Sequence, residues 1–337
     1  MTTGDPLEPR KREKLVGHLA AAGALASDVA GDRLHHAWIL AGPRGIGKAT
    51  LAFRFMRYLL AGQSEFLPQE AEAGPLHLRA DNPVFRRVAS GGHADLRTVE
   101  PEGARGEIRV NAMRDAIRFL RLTPGESAWR GLIVDGADSM NPNAQNAALK
   151  VLEEPPPNAM ILLVAHRPSL LLPTVRSRCR ILRLAPLDRA AFDEVLADIV
   201  PELDAEARAR LFAVSGGSPG AALGLEQLGG RALKEAVDAL LDSLPDINRR
   251  ALGDIATAVT DAREPGYFQA FGRILMASLA ERLRTDGPCA AWLETEADIA
   301  RLLERSITLS LDRQQTLFEI IGNLARTAAG KGQGAGA

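Results

Sequence analysis

Aromatic residues are scarce in this chain, at 4% of 337 residues, and there are only two cysteines, Cys179 and Cys289. Two thiols are too few for a disulfide framework and cannot supply a four-ligand zinc site. No run of about 18 apolar residues occurs, so no transmembrane helix is expected. Met1 to Lys14 is polar and charged and lacks the apolar core of a signal peptide, which places the expected location in the cytoplasm. Charge of one sign is lacking too: the formal net charge is −1. A protein that coats nucleic acid or an anionic membrane by bulk charge is thereby excluded.

What is present is alanine, leucine and arginine, a helix-rich composition, in enough chain for two or three domains. The first fourteen residues, with Pro6 and Pro9, read as a loose arm, and Leu15 to Ala30 as a helix. Apolar runs at Ala37–Ala41, Ala94–Val99, Gly131–Val134, Ala159–Ala165 and Arg180–Leu184 read as strands. The segments between them, Leu51–Leu60, Val110–Leu122 and Asn141–Glu154, read as helices. Strand and helix in alternation predict a parallel α/β sheet with its ligand at the strand ends. Gly62 to Gly92, with Pro68, Pro75 and Pro83, reads as a long irregular loop. Beyond Pro186 no strand pattern occurs. Leu233, Val237, Leu240, Leu241 and Leu244 follow helix period, as do Phe268, Phe271, Leu275 and Leu279, and Leu317, Ile320, Ile321 and Leu324. The expected domains are an α/β domain (1–185), a small helical lid (186–228), an all-helical domain (229–329) and a disordered glycine-rich tail (330–337).

The first strand runs into Gly42-Pro43-Arg44-Gly45-Ile46-Gly47-Lys48-Ala49-Thr50. Strand, glycine-rich turn, lysine and helix match G-x-x-x-x-G-K-[ST] except at its last position. In such a loop Gly42, Gly45 and Gly47 let backbone N–H groups cradle phosphates, Lys48 adds a point charge, and the helix N-terminus adds more. The hydroxyl that should hold Mg²⁺ is replaced by Ala49. Thr50 is one residue on, rotated by roughly 100° around the helix, and cannot simply substitute. The partner element is an apolar strand ending in a carboxylate, and Leu132-Ile133-Val134-Asp135 supplies it. The plainer alternative for Asp135 is a cap on the following turn. Where hydrolytic proteins of this kind place a glutamate to deprotonate water, the chain has Gly136.

These features, with Val134 to Asn141, Ala147 to Pro156, Leu171 to Cys179 and Ser215 to Leu223, resemble the AAA+ clamp-loader subunits of bacterial DNA polymerase III. The resemblance is specific from Val16 to about Leu223 and architectural beyond. It implies that Ser177-Arg178-Cys179 is a motif whose arginine, Arg178, enters the ATP site of an adjacent subunit. The plainer alternative is that Arg178 is a surface ion-pair residue in a basic cluster with Arg176 and Arg180. The resemblance further implies that Val16, Gly17 and His18 flank adenine, and that a lid arginine sensing the γ-phosphate belongs where Gly220 stands. His166 lies where a strand-end polar residue often contacts that phosphate, although a solvated loop histidine is the plainer reading. Many relatives carry a four-cysteine zinc module where this chain has Gly62–Gly92. With no cysteine there, and only His77 and His93 nearby, no zinc is expected. His93-Ala94-Asp95 resembles the end of that module.

The resemblance thus implies a hetero-oligomeric, largely non-hydrolysing subunit that needs no cofactor of its own, with vestigial ATP or ADP binding left open. Its implied partners are the gamma/tau and delta subunits, the sliding clamp and, through the assembly, primer–template DNA. Two rivals remain at this stage. One is an active AAA+ ATPase in which Thr50 and Asp138 rescue the site. The other is an assembly module that uses neither nucleotide nor Arg178.

Overall fold

A computed structural model describes residues 8–31, 33–62, 74–103, 106–247, 249–260, 266–286, 289–309 and 311–334. It divides the chain into two units, one of residues 1–208 with 217–220 and the other of residues 209–216 with 221–337.

The first unit is built on a five-stranded, wholly parallel sheet: β1 (Ala37–Ala41), β2 (Leu96–Val99), β3 (Arg130–Asp135), β4 (Ala159–Ala165) and β5 (Arg180–Arg183). The spatial order is β2-β3-β4-β1-β5. The central strands are buried along nearly their whole length, as continuous apolar runs require when helices cover both faces. On one face α4 (Val110–Leu120) and α5 (Pro142–Glu153) contribute Met113, Leu120, Ala148 and Leu152 to the core. On the other, α1 (Leu19–Ala30) and α2 (Lys48–Ala61) contribute Leu25, Leu51, Phe55 and Met56. Asn141 starts α5 by accepting the Ala144 N–H, with Pro142 at the first helical position, where its absent N–H costs nothing.

Two expectations need correction here. Gly62–Gly92 is not wholly irregular. Residues 63–73 lie outside the described residues, but Pro83–Ala89 forms α3, capped by the Asn82 side chain on the Val84 N–H. Nor is the N-terminal arm loose from Glu8 on. Arg54 and Arg57 of α2 are each 1% exposed, and they hold it through backbone carbonyls. Arg54 donates to Glu13 O and Pro75 O, each at 2.9 Å, and Arg57 to Arg12 O at 2.8 Å and Arg10 O at 3.2 Å. The Arg57 guanidinium also stacks 4.2 Å from the centroid of the Phe85 ring on α3. A buried guanidinium needs acceptors for its fork of N–H groups, and the carbonyls of the arm and of Pro75 provide them.

Before β5 lies α6 (Pro173–Arg176), and after it α7 (Arg189–Ile199), α8 (Ala205–Ser215) and α9 (Pro219–Gln227). The second unit is helical, with α10 (Gly230–Asp242), α11 (Arg249–Thr260), α12 (Gly266–Asp286), α13 (Ala290–Leu309) and α14 (Arg313–Gly334). Its core contains Leu233, Val237, Phe271, Leu275, Leu317 and Ile320, residues that the helix period marks out. The last helix runs to Gly334, past the expected start of the tail at residue 330. Once a helix exists, extending it by a residue costs far less than nucleating it. Among the described residues no helix is long and apolar enough to cross a membrane.

Candidate functional site

The glycine-rich loop leaves the carboxyl end of β1 and turns into α2, the place where parallel α/β sheets bind ligands. Gly45 and Gly47 adopt φ of 77° and 101°, conformations that favour glycine. Gly42 is held by a close approach: a Cβ there would lie 2.3 Å from Leu184 O. No side chain caps the first turn of α2, so the helix end offers its N–H groups and partial positive charge to the loop's concavity.

Lys48 is 3% exposed. Its Nζ donates to Gly42 O at 2.7 Å and Pro43 O at 2.5 Å, folding the side chain back on the loop. Burial lowers its pKa to about 8, against the pull of Asp135 and Asp138. Asp135, at the end of β3, has its carboxyl pKa raised, chiefly by burial and then by Glu100. Ala49 and Thr50 are both half-buried in the first turn of α2, and Ala49 presents only a methyl group. Gly136 is buried, with φ 79° and the Pro101 ring against it, and carries no carboxylate.

Of Val16, Gly17 and His18, it is His18 that is brought to the loop. His18 is buried, and its Nε2 lies 2.6 Å from Ile46 O, which it can meet only as a donor. Gly17 has φ 78°, and a Cβ there would lie 2.3 Å from Leu187 Cδ2. Asp138 is tied elsewhere. Its carboxylate accepts the His166 and Arg167 backbone N–H groups at 2.9 and 3.1 Å, closing the end of β4. His166 is not the solvated loop residue expected. It is half-buried, its Nδ1 is buried without a hydrogen-bond partner among the described residues, and burial and then Lys48 lower its pKa to about 4. It is neutral at physiological pH.

A contact that sequence reasoning missed closes over the loop. Ser218 Oγ donates to Arg44 O at 2.7 Å, and the Gly220 N–H to Gly45 O at 3.0 Å. A Cβ at residue 220 would stand 2.8 Å from Gly45 Cα. The position where an arginine was looked for is therefore packed backbone to backbone on the phosphate loop. An Mg²⁺-nucleotide poised for hydrolysis does not fit this donor set, because a hydroxyl at 49, a carboxylate at 136 and an arginine at 220 are all lacking.

Arg178 lies at the opposite, amino end of the strands. It precedes β5, whose Arg180 pairs in register with Trp38, near the start of β1, while the loop begins after Ala41. At 3.3 Å per residue, the step from Trp38 to Gly42 alone is about 13 Å. Arg178 and the chain's own phosphate loop are not brought together. Its guanidinium is held locally, with Nη2 2.5 Å from Glu153 Oε1 and Nη1 donating to Thr174 O at 2.9 Å. The ion pair of the plainer reading thus exists. Gln145, buried on α5, anchors the segment that presents it by accepting the Leu172 N–H at 2.7 Å and donating to Met140 O at 3.0 Å. Burial pushes the neighbouring Cys179 thiol up to about 12, which leaves it an inert packed group.

Two further features stand out. Asp95, wholly buried, accepts N–H groups from Gly125, Glu126 and Ser127 at 2.7–2.9 Å and faces Arg130 at 3.4 Å. An open groove of about 1120 Å³ runs along α4 and α5, lined by Arg114, Arg118, Arg121 and Lys150, and by Asp115, which pairs with Arg118.

Sheet order, phosphate loop and the packing of Ser218 and Gly220 on that loop define an AAA+ P-loop protein, with a helical unit following in the chain. The comparison with protein families narrows this. Residues 17–188, just over half of the chain, match the model described as "DNA polymerase III, delta subunit", and the chain belongs to that family. It is 39% identical over 214 residues to the DNA polymerase III subunit delta' of Pseudomonas aeruginosa, covering 63% of this chain and 61% of that one. With the delta' subunit of Escherichia coli the identity is 34% over 200 residues, 58% of this chain and 55% of that one. With that of Bacillus subtilis it is 33% over 182 residues, 53% and 51%. The matches thus span about half to three fifths of these relatives' length.

Proposed function

We propose that the protein is the delta-prime subunit of a DNA polymerase III clamp loader and acts as a stator. It assembles with gamma/tau and delta subunits, donates Arg178 to a neighbour's ATP, and helps load the sliding clamp on primed DNA. The observation that carries the reading is the position of Arg178, half-exposed at the amino end of the strands, away from its own phosphate loop at their carboxyl end. An arginine so placed cannot serve its own loop, while it is free to serve a site on another chain. At its own loop the protein does not hydrolyse ATP, in keeping with Ala49, Gly136 and the Gly220–Gly45 contact. The basic groove of α4 and α5 offers cations suited to a phosphate backbone, so that DNA contact can be shared over the assembly.

The test is reconstitution of the loader with Arg178→Ala. An arginine acting in trans stabilises charge on the transferring phosphoryl group and is worth roughly 10³-fold or more. Turnover at the adjacent site is expected to collapse accordingly while the complex still assembles. Unchanged clamp-stimulated ATPase rejects the trans role. ATP turnover by the isolated chain, abolished by Lys48→Ala, rejects the stator role in favour of an active ATPase.

A further inference from the structure

Resting on the trans role of Arg178, we infer that Glu153 is a positioning residue for it: an intramolecular parking site that holds the guanidinium until a neighbour's triphosphate displaces it. Glu153 is the last residue of α5, where Glu154 and Pro155 end the helix, and Arg178 lies just beyond the four-residue α6. The contact joins positions 25 apart in sequence. Both terminal amines of the guanidinium are occupied within the chain, Nη2 by Glu153 and Nη1 by the Thr174 carbonyl. The neighbouring Arg180 does not compete for Glu153. Arg180 is engaged by Asp28 at 2.9 Å and lies over the Trp38 ring.

A guanidinium paired with a carboxylate presents almost no net charge, and a carboxylate left beside a polyphosphate repels it. Arg178 therefore has to exchange Glu153 for the phosphate oxygens. The exchange is cheap, because the two side chains are 34% and 48% exposed, the regime in which ion pairs are weak. It is also one-directional in charge: a triphosphate outcompetes a single carboxylate, whereas a site that has lost its γ-phosphate competes less well. Glu153 thus ties the release of the arginine to the nucleotide state of the neighbour.

The experiment is a double-mutant cycle in the reconstituted loader, read as ATPase kcat/KM at subsaturating ATP. Glu153→Gln keeps the shape and removes the charge. With the parking site weakened, kcat/KM is expected to rise roughly two- to fivefold, the range set by a half-exposed ion pair. Glu153→Asp, which retains the charge, is expected to stay nearer the parent. In an Arg178→Ala background Glu153→Gln is expected to change nothing. No rise, a fall, or the same change in the Arg178→Ala background overturns the inference. If Arg178→Ala alone has no effect, the proposed trans role falls first, so the two failures are distinguishable.

Discussion

Asp95→Ala should be the most damaging single change in the α/β unit that touches no nucleotide-binding residue. The carboxylate is wholly buried, and four donors converge on it: three successive backbone N–H groups, Gly125 to Ser127, and Arg130. Burial by itself would raise its pKa, but the three N–H groups and Arg130 outweigh that and hold it below the ordinary carboxylate range. Hydrogen bonds to a charged group contribute about 1.5–3 kcal/mol each, offset by the cost of desolvating the charge. Removing the acceptor leaves three buried N–H groups without a partner and takes the carboxylate from Arg130, which keeps the Thr123 carbonyl and the Phe119 ring, for an expected loss of about 3–5 kcal/mol. Urea unfolding followed by the fluorescence of Trp38 and Trp129, both in this unit, measures it. A loss under about 1 kcal/mol refutes the reasoning, since it would mean the donors find water or other acceptors. The pH dependence has a definite sign. Because the folded carboxyl is the stronger acid, its contribution is complete above the ordinary carboxylate pKa of about 4 and is lost as pH falls through the lower folded value. The stability gap between the parent and Asp95→Asn should therefore be constant near neutrality and close only in acid.

Gly220→Ala places a methyl 2.8 Å from Gly45 Cα, where both atoms belong to backbone and neither can swing away. Overpacking of this kind costs about 1–3 kcal/mol, and hydrogen exchange of the residue 220 amide, the donor of the bond to Gly45 O, should quicken about tenfold as that bond breaks; unchanged protection sinks the claim that this contact closes the loop. Arg57→Met removes the donors that hold the Arg10 and Arg12 carbonyls. Tryptic cleavage in the segment Lys11–Lys14 should accelerate at least tenfold, since losing one charge-assisted hydrogen bond of about 1.5 kcal/mol already shifts a local opening equilibrium that far; a rate within twofold of the parent argues that the arm is held by something else.

The strands were the most legible part of the sequence, because a parallel sheet covered on both faces needs uninterrupted apolar runs. β4 falls on Ala159–Ala165 as read, and β3 begins one residue earlier than the reading, at Arg130. What escaped was structure held by polar groups acting at a distance. Arg54 and Arg57 drew no reading of their own, yet they lie among Phe53, Phe55 and Met56, which leaves α2 no polar face, and this was the available signal. The seven residues of α3 are too short to show a period, although Asn82-Pro83 carries the cap and first-position signature of a helix start. At the phosphate loop the sequence showed which groups are lacking. It could not show that Gly220 rests on Gly45, or that Glu153 faces Arg178, because each pairing is made only by the fold.

On the proposed reading, the separation of the two ends of the strands explains why reversion at one position should not restore an ATPase. Installing a hydroxyl at Ala49 would supply a metal ligand, but the water would still have no carboxylate at Gly136 to deprotonate it. Gly220 would still lie against the loop, and Lys48 would still be bonded to the Gly42 and Pro43 carbonyls. Groups that act as one catalytic unit are strongly non-additive, so supplying one of several lost members gains little. Arg178 bears no such dependence. Its segment is anchored by Gln145 and its side chain by Glu153, both on α5, and neither contact involves the phosphate loop. The arginine can therefore be kept in working order while the loop loses its chemistry, which is the condition for a subunit that serves a neighbour's nucleotide and spends none of its own.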